Sequence, residues 1–266
     1  MSNKGIALIT GASTGIGAVY ADRMARRGYD LVLVARSKEK LEAVAKQIQS
    51  GTGRKVETVP ADLSVASDVQ RIADRLASDE AITALVNNAG VAAVKPLLAS
   101  ESAIHDQIIQ LNITAFTHLL VAAASSFAKR SSGLIINIGS IVALAPERLN
   151  GVYAASKGYV QSLSIALKNE LTDKGVTVQL VLPGATATSL WEKSGLPLQN
   201  LPAGMVMSTE DMVDAALAGL DQGEFITIPS LPNVAEYETF EQARLALIPN
   251  LSRSSPAARY KLAAKS

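Results

Sequence analysis

Short apolar runs alternate with longer amphipathic segments along most of the chain. The apolar runs have the length and β-branched content of strands, and we predict strands at 5–10, 31–35, 55–60, 83–87, 133–139, 176–182 and 224–228. The amphipathic segments have helical periodicity, and we predict helices at 15–28, 37–50, 66–78, 101–130, 151–174 and 209–222. The longest helix is expected to break or kink near Asn112. Strands that are apolar on both faces belong in a covered parallel sheet. The alternation therefore predicts a single-domain α/β fold with a doubly wound, Rossmann-like sheet.

Charge and cysteine content exclude several classes of function. The 266 residues include 25 basic and 24 acidic side chains, so the formal net charge is +1. This balance gives no electrostatic reason to expect nucleic acid or an acidic membrane as a partner. The absence of cysteine excludes disulfides, thiol nucleophiles and thiolate metal sites. His105 and His118 have no partner histidine at ligand spacing, so we read them as partly exposed helix residues and predict no metal.

The apolar runs are too short for membrane insertion. No run reaches the roughly 18 continuous apolar residues of a membrane span. The run at 6–9 is also too short for the central region of a signal peptide, and a first strand explains it better. We therefore expect a cytoplasmic protein.

A glycine turn joins the first predicted strand to the first predicted helix. It reads G-x-x-x-G-x-G, with glycines at Gly11, Gly15 and Gly17. Gly11 permits the sharp turn, Gly15 lets a pyrophosphate approach the backbone, and Gly17 lets the helix pack close to the sheet. The spacing differs from the general G-x-G-x-x-G pattern, and a plain glycine-rich turn is the alternative. Its place between a strand and a helix favours a nucleotide phosphate site.

Tyr153 and Lys157 lie four residues apart in a predicted helix. Four residues span about 6 Å, roughly one turn, so both side chains leave the same face. Lowering the pKa of a tyrosine by ~3 units takes about 4 kcal/mol. A cation ~4 Å away supplies that energy only in a partly dry site. The pair is therefore a candidate for acid–base chemistry, and an incidental pair on a surface helix is the alternative.

Several motifs together resemble the single-domain short-chain dehydrogenase/reductases. They are T-G-x-x-x-G-I-G from Thr10, N-N-A-G from Asn87, Ser140, the Y-x-x-x-K pair, and P-G at 183–184. Their order and spacing match over residues 4 to about 228. The resemblance implies reversible hydride transfer between a nicotinamide cofactor and a carbonyl/alcohol pair of a small-molecule substrate. It also implies a homodimer or homotetramer formed through the helices near 101–130 and 151–174.

The resemblance assigns roles to a catalytic set. Tyr153 exchanges a proton with the substrate oxygen, and Lys157 binds the nicotinamide ribose and lowers the pKa of Tyr153. Ser140 hydrogen-bonds the substrate carbonyl, and Asn112 holds a water that links Lys157 to solvent. Ile141 joins Ser140 and Tyr153 in the substrate set. Taken alone, Ser140 could cap the next turn and Asn112 could mark a helix kink.

The predicted cofactor contacts follow the carboxyl ends of the strands, where ligands bind in such sheets. They are Gly11, Ser13, Thr14, Gly15, Ile16, Gly17, Arg36, Asp62, Leu63, Asn88, Ala89, Gly90, Tyr153, Lys157, Pro183, Gly184, Thr186 and Thr188. By resemblance, Asp62 and Leu63 contact the adenine, and Thr188 reaches the carboxamide. The alternative for Asp62 is a helix N-cap.

The end of the second strand predicts NADP(H) as the cofactor. NAD-binding sheets usually end this strand with an acid that binds the ribose hydroxyls. Ala35 takes that place here, and Arg36 follows it. A guanidinium can bind a 2′-phosphate with paired, charge-assisted hydrogen bonds. A solvated arginine at the strand end is the alternative.

The segment 184–207 is predicted to be an apolar lid over the substrate. It combines Pro, Gly and Ser with large apolar residues that include Trp191, and an irregular packed loop is the alternative. An apolar lid favours a hydrophobic or aromatic carbonyl substrate. We assign residues 1–228 to the dinucleotide-binding and catalytic domain, and 229–266 to a C-terminal extension of the same domain with a helix at 236–247.

Two other classes of function remain open. One is a catalytically silent dinucleotide-binding sensor or scaffold, which an intact Asn112, Ser140, Tyr153 and Lys157 argues against. The other is a different enzyme on the same fold, such as an enoyl reductase, an epimerase or a dehydratase. The enoyl reductases space Tyr and Lys more widely, and the sugar-nucleotide enzymes usually carry a larger C-terminal part.

Overall fold

Seven parallel strands form one sheet in the computed structural model, which describes residues 4–202 and 204–260. The strands are β1 Ile6–Thr10, β2 Asp30–Ala35, β3 Val56–Pro60, β4 Ile82–Asn87, β5 Gly133–Ile138, β6 Val176–Val181 and β7 Ile226–Thr227. Their order in the sheet is β3-β2-β1-β4-β5-β6-β7. The order reverses between β1 and β4, and a crevice for ligands forms at such a switch point.

Helices occupy the connections between the strands, as predicted. They are α1 Gly15–Arg26, α2 Lys38–Thr52, α3 Ala66–Ser78, α4 Ser102–Ile108, α5 Phe116–Arg130, α6 Gly151–Leu171, α7 Leu190–Ser194, α8 Thr209–Asp221 and α9 Val234–Ala246. The six predicted helices are confirmed, with ends that differ by at most three residues.

Two apolar layers cover the sheet. Side chains of α3, α5 and α6 pack on one face, and side chains of α1, α2 and α8 pack on the other. Within β1, Leu8 faces the first layer, whereas Ala7 and Ile9 face the second. This alternation explains why the strands are apolar on both faces. The predicted doubly wound sheet is confirmed.

The longest helical stretch changes its geometry in the middle. A π-helical segment at Ile109–Ala115 joins α4 to α5, and Asn112 lies at its centre. The break expected near Asn112 is therefore confirmed. Among the described residues, the stretch Ser102–Arg130 is the one helix long and apolar enough to cross a membrane by length and composition alone. Its α5 part contributes buried side chains, including Leu119 and Phe127, to the core shared with α3.

The last strand is shorter than the predicted 224–228. Gly223 turns the chain after α8 with φ +81°. Only Ile226 and Thr227 then pair with β6, because β7 lies at the sheet edge and has one neighbour.

The chain divides into two units, Met1–Ser230 and Leu231–Ser266. The first unit contains the sheet and α1 to α8. In the second unit, α9 confirms the helix expected at 236–247, and it buries none of its side chains. The assignment of 229–266 to the same domain stays a prediction.

Candidate active site

The glycine turn forms a backbone cradle at the switch point of the sheet. Gly11 and Gly15 have φ values of +67° and +57°, which strongly favour glycine. A Cβ at Gly17 would collide with the Gly11 carbonyl and lie 2.7 Å from Asn88 Nδ2. The first turn of α1 has no acidic side chain, and its N-cap residue Thr14 makes no capping hydrogen bond. The cradle and the free helix N-terminus fit the phosphates of a dinucleotide.

The other residues predicted for the turn flank this helix start. Ser13 and Ile16 are partly exposed, and Thr14 is exposed. Thr188 approaches from the predicted lid, since a Cβ at Gly15 would lie 3.2 Å from its Cγ2. The structure therefore brings Thr188 to the glycine turn, more than 170 residues away in sequence.

Hydrogen bonds of Thr10 and Asn88 connect the ends of β1 and β4. The Thr10 hydroxyl accepts hydrogen bonds from the backbone N–H groups of Asn88 and Ala89, each at 2.9 Å. Asn88 Nδ2 donates to the Thr10 carbonyl at 2.9 Å. The Asn88 side chain thus fixes the shape of the glycine turn. Thr10 was not among the predicted site residues, although it belongs to the glycine motif.

Arg36 stands exposed at the end of β2. Among the described residues it makes no side-chain hydrogen bond and no ion pair, so its guanidinium is available to a ligand. Its positive charge reaches Asp62, which follows β3.

Asp62 closes a turn of its own. Its Oδ1 accepts from the Ser64 backbone at 3.0 Å and from the Ser64 hydroxyl at 2.7 Å. Burial opposes ionisation, but the hydrogen bonds from Ser64 and the charge of Arg36 hold the pKa of Asp62 below its usual value. The N-cap alternative is wrong, because α3 begins at Ala66 with Val65 as its N-cap. Leu63 packs in the core, so its backbone is left for a ligand contact.

Ser140, Tyr153 and Lys157 meet at the end of β5, and all three are at least nine-tenths buried. The Ser140 hydroxyl lies close enough to the Tyr153 phenol to influence its pKa. Lys157 Nζ donates to the Ile138 carbonyl at 3.0 Å and lies 5.9 Å from the centre of the Tyr153 ring. The predicted catalytic side chains are therefore neighbours.

Burial shifts the pKa values of Tyr153 and Lys157 in the directions that favour the neutral form of each group. It raises the pKa of Tyr153 to about 12, against the opposing hydrogen bond from Ser140. It lowers the pKa of Lys157 to about 8. The expectation of a lowered pKa for Tyr153 is wrong for this arrangement, because burial raises the pKa and the interaction with Ser140 opposes that rise only in part. The phenol keeps its proton at pH 7, as a general acid must.

Asn112 connects the π-helical segment to both sides of the site. Its Nδ2 donates to the Val91 carbonyl at 2.9 Å and to Ser156 Oγ at 3.1 Å, and its Oδ1 accepts from the Val91 N–H at 2.9 Å. Both amide hydrogens are thus committed to the protein. Gly90 lies beside this group, since a Cβ there would be 3.1 Å from Asn112 Oδ1 and 3.8 Å from Lys157 Nζ. The water expected at Asn112 can therefore hydrogen-bond only to the side-chain or the backbone carbonyl oxygen of Asn112.

The remaining predicted residues lie where β5 and β6 end. The Ile141 N–H donates to the Pro183 carbonyl at 3.0 Å. A Cβ at Gly184 would lie 3.9 Å from Ile141 Cδ1. Thr186 is buried, and its hydroxyl donates to the Gly184 carbonyl at 3.2 Å.

The predicted lid is a loop with its two ends tied together. Thr186 and Met207 form a parallel bridge, and the Met207 N–H donates to the Ala185 carbonyl at 2.9 Å. Trp191 Nε1 donates to the Thr186 carbonyl at 2.8 Å, which folds α7 back onto the start of the loop. Residue 203 of the loop lies outside the described residues.

Tyr153 packs in a small apolar cluster apart from the two sheet cores. The buried members of this cluster are Ala93, Ile108, Val142, Tyr153 and Ala154, with Val91, Ala92, Ile104, Leu149 and Val152 packed against them. The phenol is thus surrounded by an apolar wall. No group of three or more His, Cys, Asp or Glu side chains that could hold a metal ion occurs among residues 4–202 and 204–260.

The family model for short chain dehydrogenases matches residues 5–197. The chain belongs to the short-chain dehydrogenase/reductase family. This short-chain dehydrogenase/reductase is 42% identical to the short-chain dehydrogenase from Sphingobium yanoikuyae, solved in complex with NADPH. That comparison covers 96% of this chain and 100% of the other, with a TM-score of 0.92.

Two further relatives carry informative names. The bulky-bulky ketone specific alcohol dehydrogenase from Comamonas testosteroni is 39% identical, with a TM-score of 0.88 over 97% of this chain and 99% of that one. The 17-beta-hydroxysteroid dehydrogenase type 3 of Homo sapiens is 39% identical over 188 residues, which are 69% of this chain. This short-chain dehydrogenase/reductase spans 60% of the length of that curated relative.

Proposed function

We propose that the chain is an NADPH-dependent reductase of ketones and aldehydes that carry apolar or aromatic groups. The observation that carries this proposal is the buried group of Ser140, Tyr153 and Lys157 beside an apolar wall. The reaction is reversible in principle, and oxidation of the corresponding alcohol uses the same groups. The intact set also argues against a silent dinucleotide-binding sensor.

The residues at the carboxyl ends of the strands fit a dinucleotide. The glycine turn and the N-terminus of α1 would hold the pyrophosphate, and Lys157 would bind the nicotinamide ribose. Gly90 and Thr188 lie close enough to Lys157 and Gly15, respectively, to line the same groove. When bound, the nicotinamide supplies the hydride.

The unpaired guanidinium of Arg36 supports NADPH over NADH. Ala35 leaves no carboxylate at the place where an acid would repel a 2′-phosphate. A charged contact of ~2–3 kcal/mol corresponds to roughly 30–150-fold in affinity. The complex of the Sphingobium yanoikuyae relative with NADPH is consistent with this preference.

The chain's own groups supply the proton and hold the substrate oxygen. Ser140 donates a hydrogen bond to the carbonyl oxygen, and Tyr153 gives its phenolic proton to that oxygen as negative charge develops there. The phenolate that remains on Tyr153 is stabilised by the nearby Lys157 cation. We expect this support to weaken above pH 8, where Lys157 becomes neutral.

The apolar wall around Tyr153 supports a bulky, uncharged substrate. It is made of Val, Ile, Leu and Ala side chains, and Trp191 belongs to the loop that would cover it. The names of two relatives point the same way, since one is specific for bulky-bulky ketones and the other is a hydroxysteroid dehydrogenase.

The test is the oxidation of NADPH and of NADH with a panel of aryl-alkyl and dialkyl ketones. We expect kcat/KM to favour NADPH by at least ~10-fold. The double substitution Ala35→Asp with Arg36→Ala should reverse the order, because it removes the cation and adds an acid. Lys46→Ala on the exposed face of α2 is the matched control for loss of one positive charge. Comparable efficiency with NADH in the unmodified enzyme would contradict the cofactor assignment.

A further inference from the structure

A fully buried asparagine caps the helix that carries Tyr153 and Lys157. Asn150 has no exposed surface and immediately precedes α6. Its Oδ1 accepts hydrogen bonds from the N–H of Val152 at 2.9 Å and from the N–H of Tyr153 at 3.3 Å. The backbone of Tyr153 is thus tied directly to the Asn150 side chain.

The same amide holds the connection between β4 and α4. Asn150 Nδ2 donates to the Lys95 carbonyl at 2.9 Å and to Ser100 Oγ at 3.1 Å. The Ser100 hydroxyl is in turn within hydrogen-bond distance of the Lys95 and Pro96 carbonyls. Both donors of the amide, and both lone pairs of its oxygen, are therefore used. A side chain so fully satisfied fixes two segments relative to each other.

Tyr153 is also held from its carbonyl side. Ser156 Oγ donates to the Tyr153 carbonyl at 2.7 Å and accepts from Asn112 Nδ2. The turn that bears the phenol is therefore held at its N–H by Asn150 and at its carbonyl by Ser156. The side chain of Tyr153 packs in the apolar cluster described above.

We propose that Asn150 is a positioning residue for Tyr153. The Asn150 side chain couples the segment 95–100 to the first turn of α6. This inference rests on the proposed function, because it concerns the alignment of Tyr153 with Ser140. A side-chain cap stabilises the start of its helix, so its loss loosens the first turn. A shift of ~1 Å in a catalytic group can reduce turnover by about 10²-fold.

Three substitutions separate the cap that Asn150 makes on α6 from its hydrogen bonds to the segment 95–100. Asn150→Ala removes the cap and the donors, and Asn150→Ser keeps a good cap but loses the contacts to 95–100. Ser100→Ala keeps the cap and removes one acceptor in the segment. We expect kcat to fall by about 10–100-fold in Asn150→Ala, with smaller losses in the other two variants and little change in the KM for NADPH.

Amide hydrogen exchange provides a readout that does not depend on activity. The amide protons of Val152 and Tyr153 should exchange faster in Asn150→Ala and stay protected in Asn150→Ser. Asn233→Ala is the matched control, because Asn233 caps α9 through the same kind of bond to Ala235. It should leave both kcat and the exchange of Tyr153 unchanged.

Wild-type turnover with the ketone panel decides the proposed function independently of these variants. If the wild type is active and Asn150→Ala retains its kcat, the positioning role is overturned. If exchange at Tyr153 is the same in Asn150→Ala and the wild type, the coupling is overturned even in an inactive protein.

Discussion

Lys157 is a basic residue that the fold buries. Its ammonium group is buried, donates to the Ile138 carbonyl and lies beside the ring of Tyr153. Burial lowers its pKa to about 8. A charged Lys157 therefore destabilises the folded chain at neutral pH.

This cost predicts a pH-dependent gain in stability for Lys157→Met. The pKa of Lys157 in the folded chain is below the ordinary 10.5. Between pH 8 and 10.5 the unfolded wild type therefore binds more protons than the folded wild type, so the free energy of unfolding rises with pH. Methionine does not titrate. We expect Lys157→Met to exceed the wild type by about 2 kcal/mol at pH 7, after the lost hydrogen bond is subtracted. The gain should shrink toward pH 10.

Urea denaturation of both proteins at pH 7 and pH 10 measures this difference. Lys46→Met provides the control, because Lys46 is exposed on α2. A gain that increased with pH would show that the burial of Lys157 has been misjudged.

At the residue scale, the motifs predicted which groups meet but not their electrostatics. Ser140, Tyr153 and Lys157 were chosen from the sequence, and they are neighbours in the structure. The direction of the pKa shift of Tyr153 was predicted wrongly, because the degree of burial is set by tertiary packing. Asn150 was missed, although an Asn just before a predicted helix is a recognisable N-cap signal.

At the element scale, we predict that the loop 184–207 regulates access to the site. Its ends are fixed by the contact between Thr186 and Met207, and the Trp191 indole closes it internally. Thr188 lies against Gly15 of the glycine turn. A ligand on the turn would therefore touch the loop directly.

We predict that the loop gains protection when NADPH and an unreactive ketone analogue bind. Hydrogen exchange of 184–202 and 204–207 should slow, whereas the exchange of β4 and β5 should stay constant. Trp191→Phe keeps the aromatic ring but removes the donor to the Thr186 carbonyl. It should speed exchange in the unliganded loop and raise the KM for the ketone. Equal protection with and without ligands would remove the support for a lid.

Sequence periodicity predicted long elements better than irregular ones. The kink in the 102–130 stretch was expected near Asn112, but its π-helical form was not, because one extra residue per turn leaves no mark in the apolar pattern. The strand expected at 224–228 contains only two residues, since pairing at a sheet edge depends on the neighbouring strand.

At the scale of the whole molecule, we predict a homo-oligomer. Ile109 and Val121 on the Ser102–Arg130 stretch are 45% and 54% exposed, although the stretch is part of the core. An exposed apolar face on each copy is buried when two symmetric copies pair through that face. Light scattering should give a mass of at least two copies of the 27.8 kDa chain.

The substitution Val121→Glu should lower this mass, because it places a charge in the apolar face between the copies. Leu98→Glu is the control, because Leu98 is a fully exposed apolar residue outside the two helices expected at the interface. A wild-type monomer would contradict the prediction.

The order of strands and helices made the fold of the first unit predictable from sequence. Each of the seven strands and each long helix was expected, because both sheet faces must be covered by helices. The second unit was less predictable. Its helix α9 has no fully buried side chain, and Phe240 and Leu245 are about half exposed, so no packing pattern fixes its place from sequence.

The catalytic assignment is tested most directly by the kcat of Tyr153→Phe with NADPH and an apolar ketone. The phenyl ring keeps its place in the apolar cluster, and only the phenolic proton donor is lost. We expect kcat to fall by about 10²–10⁴-fold while the Kd for NADPH changes little. If Tyr153→Phe keeps more than about half of the wild-type kcat, Tyr153 is not the general acid.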